Sequence, residues 1–118
     1  MADNKIKDLS FDFALQIIAL YKKLIAQNEF VISKQLLRSA TSIGANVEEA
    51  GAAQTKRDFI TKMSIASKEA RETRYRLRLL EKSQIVKIEC KIYLELVEHI
   101  INILTKIVKT SQESILKK

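Results

Sequence analysis

Apolar residues recur along this chain at intervals of three and four, the spacing of one face of an α-helix, in four stretches divided by short breaks. The first stretch, residues 10–27, carries two such rows: Phe11, Ala14, Ile18, Tyr21 and Ile25, and beside them Phe13, Ile17, Leu20 and Leu24. Ser10 reads as its N-cap and places Asp12 in the first turn, where the helix dipole favours an acid. Asn28 and Glu29 break the period. The second stretch, residues 31–53, turns Leu36, Ala40, Ile43, Val47 and Ala50 inward. One position behind each stands a polar residue, giving the parallel row Gln35, Ser39, Ser42, Asn46 and Glu49.

The third stretch, residues 56–82, opens on Thr55-Lys-Arg-Asp58, a variant capping box in which Thr55 bonds the Asp58 amide and Asp58 reaches back. Its inward row is Phe59, Met63, Ala66, Ala70, Thr73, Leu77 and Leu80, alternating steps of four and three without a slip, as in coiled-coil packing. The fourth, residues 88–111, turns Tyr93, Val97, Ile100, Leu104 and Ile107 inward, with Leu94, Ile101 and Val108 as a second row. Links this short make consecutive helices antiparallel neighbours. The expected fold is all-α, an antiparallel up-down-up-down four-helix bundle formed by a single domain over residues 1–118.

Two features of the pattern bear on assembly. The first and fourth helices each carry a double apolar stripe, and a monomeric bundle gives each helix one core face, so the second stripe should stay wet unless copies associate. Gly44 and Gly51 lie inside the second helix, where each costs about 1 kcal/mol relative to alanine, so a close approach by a neighbour is expected there.

Composition narrows the class. The absence of proline and the presence of only two glycines leave too few turn residues for a β-rich fold. The single cysteine, Cys90, excludes an internal disulfide and suits a reducing compartment. No apolar segment follows the charged N-terminus as a secretory signal would require, and no apolar run reaches the roughly 18 residues of a membrane span. A cytoplasmic protein with no membrane contact is expected.

A formal net charge of +7 points to an anionic partner, nucleic acid first, against the plainer alternative that lysines keep the protein soluble. The third helix holds nine basic and four acidic residues between Thr55 and Lys82, hence +5 of the +7. On a helical wheel Lys56, Arg57, Lys68, Arg71, Arg74, Arg78 and Lys82 fall within about a third of the circumference, apart from Glu69 and Glu72. The run from Lys68 to Lys82 is about 21 Å long and could track several phosphates. Four of the seven are arginines, which suit phosphate and equally suit ion pairs with Glu48, Glu49, Glu69 or Glu72 of a neighbouring subunit. Tyr75 is the one aromatic residue interleaved with the row, so any binding should follow shape and backbone, with strong salt dependence.

Reaction chemistry finds little to work with. Glu95, Glu98 and His99 carry metal-ligating groups, but the di-iron site of helical bundles takes a Glu-x-x-His pair from two helices, and this chain has one histidine. Ser39, Thr41 and Ser42 have no base near them in the sequence, and Cys90 reads as a packing residue. No cofactor, metal or small-molecule substrate is expected, and no enzymatic activity.

The stretch from Gln35 through Arg38, Ser42, Ile43, Asn46 and Glu49 to Ala50, then Asp58 and Phe59, then Ile65 to Glu72 with Ala66 and Glu69, resembles the bacterial 23S rRNA intervening-sequence proteins. The likeness runs from the first helix to the fourth. Where many members carry proline in the second-helix motif, this chain has Gly44. The resemblance implies a bundle assembled as a ring-like homopentamer with no established biochemical activity. A related branch serves retroelement reverse transcriptases as a basic accessory protein. Two expectations stand together: a non-enzymatic oligomer associating with RNA or a ribonucleoprotein through the basic row, or a purely structural module whose arginines pair between subunits. The polar row Gln35, Ser39, Ser42, Asn46 and Glu49 would line an interface or channel, or else bridge the second and third helices within one subunit.

Overall fold

The computed structural model describes the backbone of residues 2–116 and the side chains of residues 5–116. Four helices, α1 (Ala2–Ala26), α2 (Ile32–Gly51), α3 (Lys56–Ser83) and α4 (Lys91–Leu116), run up, down, up and down in a bundle 53 × 22 × 22 Å. Each packs on its chain neighbours and α1 closes the ring against α4, so α1 and α3 stand on a diagonal.

The inward rows meet as their spacing requires. Phe13, Ile17, Leu20 and Leu24 of α1 are buried with Leu36, Ala40, Ile43, Val47 and Ala50 of α2, and with Met63, Ala66, Ala70, Leu77 and Leu80 of α3. Val97, Ile100 and Leu104 complete the core from α4. The alanines of α2 and α3 keep that seam narrow, and in the middle of it two hydroxyls, Ser39 Oγ and Thr73 Oγ1, meet at 2.9 Å.

The second stripes of α1 and α4 fare differently. On α4, Ile101 is buried and Leu94 and Val108 are half-buried, because this row lies only about 80° from the first and the two merge into one wide face. On α1 the second row splits: Ala14, Tyr21 and Ile25 are half-buried, whereas Phe11 is 64% and Ile18 39% exposed, as is Leu15 beside them at 51%. Phe11, Leu15 and Ile18 lie about 150° from the Phe13 row, too far round for one core to reach. A wet apolar patch is thus a property of one part of α1 and not of α4.

Several local expectations are corrected. Helix α1 starts eight residues before Ser10, at Ala2, because Ile6 extends the buried row backward. Ser10 is therefore a buried mid-helix residue whose hydroxyl donates to the Lys7 carbonyl at 3.2 Å, and Asp12 is not in the first turn. Gly44 faces Ser10, yet a Cβ there would stand 3.5 Å from Ser10 Oγ, ordinary contact that leaves room for alanine. At Gly51 a Cβ would meet only the flexible end of Lys7, so neither glycine is forced by a close backbone. Helix α4 begins at Lys91, later than the periodicity of Ile88 suggests. Residues 84–90 instead form the link, and Glu81 accepts the Cys90 amide at 3.2 Å to fix where the helix starts.

The caps are explicit. Asn28 sits in the left-handed region at φ 64°, and the Glu29 and Asn28 amides bond back to the Leu24 and Ile25 carbonyls, a Schellman closure of α1. Glu29 then caps α2: its carboxylate accepts the amides of Val31, Ile32 and Ser33 at 3.3, 2.9 and 2.6 Å. Thr55 caps α3 as its spacing implies, accepting the Asp58 amide at 3.0 Å, although Asp58 makes no return bond among the described residues. At the end where both long links lie, Gln27 latches one to the other by bonding the Lys87 amide at 2.7 Å and its carbonyl at 3.0 Å.

Burial pushes the Glu29 carboxyl up, but the amides of Ile32 and Ser33, the Ser33 hydroxyl and the Val31 amide together outweigh it and hold it below its ordinary value. A depressed acid stabilises the fold above its unfolded value and loses that contribution as pH falls through the folded one. Glu29→Gln should therefore cost about 1–2 kcal/mol in urea unfolding at pH 7. The gap between wild type and variant should close as acid protonates Glu29; a gap that persists unchanged in acid would show that the charge is not what caps α2.

Candidate nucleic-acid interface

The seven basic residues singled out on α3 lie off its core row, those from Arg71 to Arg78 on the side toward α4 and Lys68 on the outer face near Glu72. Lys56, Arg57, Lys68, Arg71, Arg78 and Lys82 are exposed and Arg74 is half-buried. Three reach α4: Lys56 Nζ donates to Ser114 Oγ at 2.6 Å, Arg71 Nη2 to Thr105 Oγ1 at 3.2 Å, and Arg74 Nη1 to both carboxylate oxygens of Glu98 at 3.0 and 3.1 Å. Among the described residues Arg74 alone of the seven has a carboxylate within 4.0 Å.

The acids that could have answered these arginines face elsewhere. Glu69 lies 3.3 Å from Arg38 and Glu72 lies 3.6 Å from the same guanidinium, with Arg76 3.8 Å from Glu72 on the far side. Glu49 pairs with Lys62 at 3.0 Å, and Glu48 stands 4.0 Å from Lys7. All five contacts lie within one chain. Helix α3 thus has a zwitterionic flank against α2, a core row, and a cationic flank beside α4.

The polar row of α2 divides along the same lines. Ser39 is buried against Thr73, and Glu49 reaches Lys62, so both bridge to α3. Asn46 turns back on its own helix and donates to the Ser42 carbonyl at 2.9 Å, with both residues half-buried, while Gln35 is exposed. Lys62 and Arg76 were not among the residues singled out from sequence, and Arg38 was named only as part of the family resemblance. The Glu72–Arg76 pair could have been found from its i,i+4 spacing, and Arg38 from its place in the motif shared with the resembling family.

Glu69 and Glu72 are one turn apart and share their surroundings unequally. Burial raises Glu69, and the hydrogen bond and charge of Glu72 raise it further, against the pull of Arg38. The hydrogen bond from Glu69 holds Glu72 below its ordinary value, assisted by Arg76, Lys68 and Arg38. Of the two, Glu69 is therefore the one that takes up a proton first as pH falls, and its Oε1 is buried without a hydrogen bond among the described residues.

Other candidate chemistry is dispersed. His99 is exposed on α4, Glu98 is engaged by Arg74, and among the described residues no three His, Cys, Asp or Glu side chains are placed to hold a metal ion. Cys90 is fully buried, and burial with the nearby Glu81 charge pushes its thiol up to about 11, far from a reactive thiolate at neutral pH. Thr41 donates to the Leu37 carbonyl at 2.8 Å, the bond of a helix packing residue. Among the described residues no helix is long and apolar enough to cross a membrane.

Removing Arg38 tests the α2–α3 flank. Arg38 is half exposed and solvent screens it, so Arg38→Leu should cost about 1–2 kcal/mol at pH 7. A raised acid is favoured in its protonated form by the fold, so this cost should shrink as pH falls through the Glu69 value. Adding Glu69→Gln removes the charge that Arg38 offsets, and the double variant should be more stable than the sum of the singles predicts. Urea titrations at several pH values read both; strict additivity would mean that Arg38 does not compensate Glu69.

Comparison with known proteins supplies the lineage. A solved structure of a protein of unknown function from the S23 ribosomal protein family of Bacteroides thetaiotaomicron VPI-5482 is 48% identical, with a TM-score of 0.88, over 92% of this chain and 99% of that one. No curated protein matches the chain. The sequence model of the 23S rRNA-intervening sequence proteins matches residues 2–109, a span that includes α1, α2, α3 and most of α4, and the chain belongs to that family.

Proposed function

We propose that this protein is a non-enzymatic, self-associating bundle of the cytoplasm that holds RNA or a ribonucleoprotein through the cationic flank of α3. The observation that carries the proposal is the partition of charge on that helix. Glu48 and Glu49 of α2 and Glu69 and Glu72 of α3 are each within 4.0 Å of Arg38, Lys62, Arg76 or Lys7 of the same chain, and six of the seven basic residues have no carboxylate within that distance among the described residues. Exposed unpaired cations spaced a helical turn apart favour a polyanion, because each phosphate neutralised releases condensed counterions.

Self-association draws on a different surface. Phe11, Leu15 and Ile18 of α1 border an open groove of about 350 Å³ with Thr41, Gly44 and Ala45 of α2. An apolar stripe that far from the core is more stable against another protein surface than against water. The same groove favours the second reading, an assembly module whose partners are proteins alone. In that case the basic flank would serve contacts between subunits, with acids other than those already paired inside the chain.

The two readings separate in one experiment. Lys68, Arg71 and Arg78 changed together to glutamate should lower affinity for ribosomal RNA fragments at least tenfold in a low-salt shift assay. Light scattering should show an unchanged particle mass, and the thermal melt should stay close to wild type. Unaltered RNA affinity would sink the nucleic-acid reading, and a collapse in particle mass would favour the assembly module.

A further inference from the structure

The seam between α3 and α4 is electrostatically divided. Near the 84–90 link it forms an open groove of about 650 Å³ whose lining includes Glu81, Glu95 and Glu98, a setting hostile to phosphate. The Arg74–Glu98 pair closes that half. On the side toward the α4 C-terminus lies a smaller groove of about 280 Å³ lined by Ser64, Ser67, Arg71, Thr105, Lys109 and Gln112, with Val108 also in its wall. Its lining has two cations and no carboxylate.

Its hydroxyls are unusual for this bundle. Thr41, Thr61 and Thr73 each donate to the carbonyl four residues back, at 2.8, 3.0 and 2.8 Å. Thr105 instead accepts from Arg71, and neither it nor Ser64 nor Ser67 donates to a protein acceptor among the described residues. The Thr105 bond holds one nitrogen of the Arg71 guanidinium and leaves other N–H donors of its fork available. Three hydroxyl donors, an arginine fork, an ammonium and an amide thus share one concave surface.

We propose that this groove is a phosphate-binding site and that its occupant is a phosphate group of a nucleic-acid backbone. The proposal rests on the nucleic-acid reading of the α3 flank and narrows it to one place. Two permanent charges with converging neutral donors match a tetrahedral anion that accepts several hydrogen bonds at once. The volume is below the 300–1,000 Å³ or so of sites that enclose a whole small-molecule ligand, so the phosphate would enter while sugar and base stay outside. Neither Lys109 nor Thr105 belongs to the basic row of α3, and the site exists only because α4 packs beside it.

The test uses the ¹⁵N-labelled full chain at low salt, titrated separately with inorganic phosphate and with a short oligouridylate. Both should shift the amides of Ser64, Ser67 and Thr105, and the oligouridylate should displace phosphate from them. Combined Thr105→Val and Lys109→Gln, which leaves the α3 row intact, should weaken oligouridylate binding about tenfold and flatten its salt dependence by about 0.7 in the logarithmic slope. Thr105→Ser with Lys109→Arg should restore both, which separates loss of donors from loss of packing. Oligouridylate that shifts the amides around Lys68 and Arg78 but leaves the groove untouched would overturn this site while sparing the function proposed for the flank. Groove shifts with inorganic phosphate and none with oligouridylate would overturn the nucleic-acid assignment and leave a free-anion site.

Discussion

The pairing of Arg38 with Glu69 and Glu72 across the α2–α3 seam governs how charge is distributed over the rest of the bundle. Two carboxylates one turn apart, one of them nine-tenths buried, would repel each other and suffer desolvation without a cation from the facing helix. Arg38 supplies it and Arg76 flanks it, so the seam can be narrow enough for Ser39 and Thr73 to touch. With Glu69 and Glu72 held on that side, the opposite flank of the helix carries Arg71, Arg74 and Arg78 with Glu81 as its acid. The basic face is therefore a consequence of how the acids are satisfied as much as of how many lysines and arginines the chain contains.

That partition also explains why the row is not uniform. Glu98 comes from α4 and neutralises Arg74, which lies nearest the seam. The lining acids Glu81 and Glu95 extend the neutralised region toward the 84–90 link. At the other end α4 contributes Lys109 and Thr105 instead, so the potential of α3 is reinforced there. A polyanion responds to this summed field and not to the charges of one helix counted alone.

The fold was largely legible because four-three periodicity is a property of single helices. The α3 row is buried from Met63 to Leu80 as its spacing implies, with Phe59 half-buried at its start, and Thr55 caps where the box places it. What failed were local cap signals overridden by packing. Ser10 resembles an N-cap, but Ile6 already lies in the core and the small serine is what fits opposite Gly44. Glu29 looks like a break between helices, whereas its longer side chain, three residues before α2 begins, reaches the amides of the N-cap Val31 and of Ile32 and Ser33. The candidate site was legible only as a row on a wheel. Arg38 and Glu69 are 31 residues apart and Arg71 and Thr105 are 34 apart, separations whose meaning depends on the register between helices.

The diagonal arrangement of α1 and α3 has a consequence for how assembly and binding coexist. The apolar stripe of Phe11, Leu15 and Ile18 faces outward from α1, and its groove is completed by α2. The cationic flank lies on α3, with α4 beside it, across the bundle from that groove. A second copy seated on the α1–α2 side would cover apolar surface without covering Lys68, Arg71 or Lys109. Each added subunit would then bring another cationic flank to the same particle, and a strand held by one would meet the next at high effective concentration. Weak, salt-sensitive contacts on a single bundle would then add up to tight retention on an assembly.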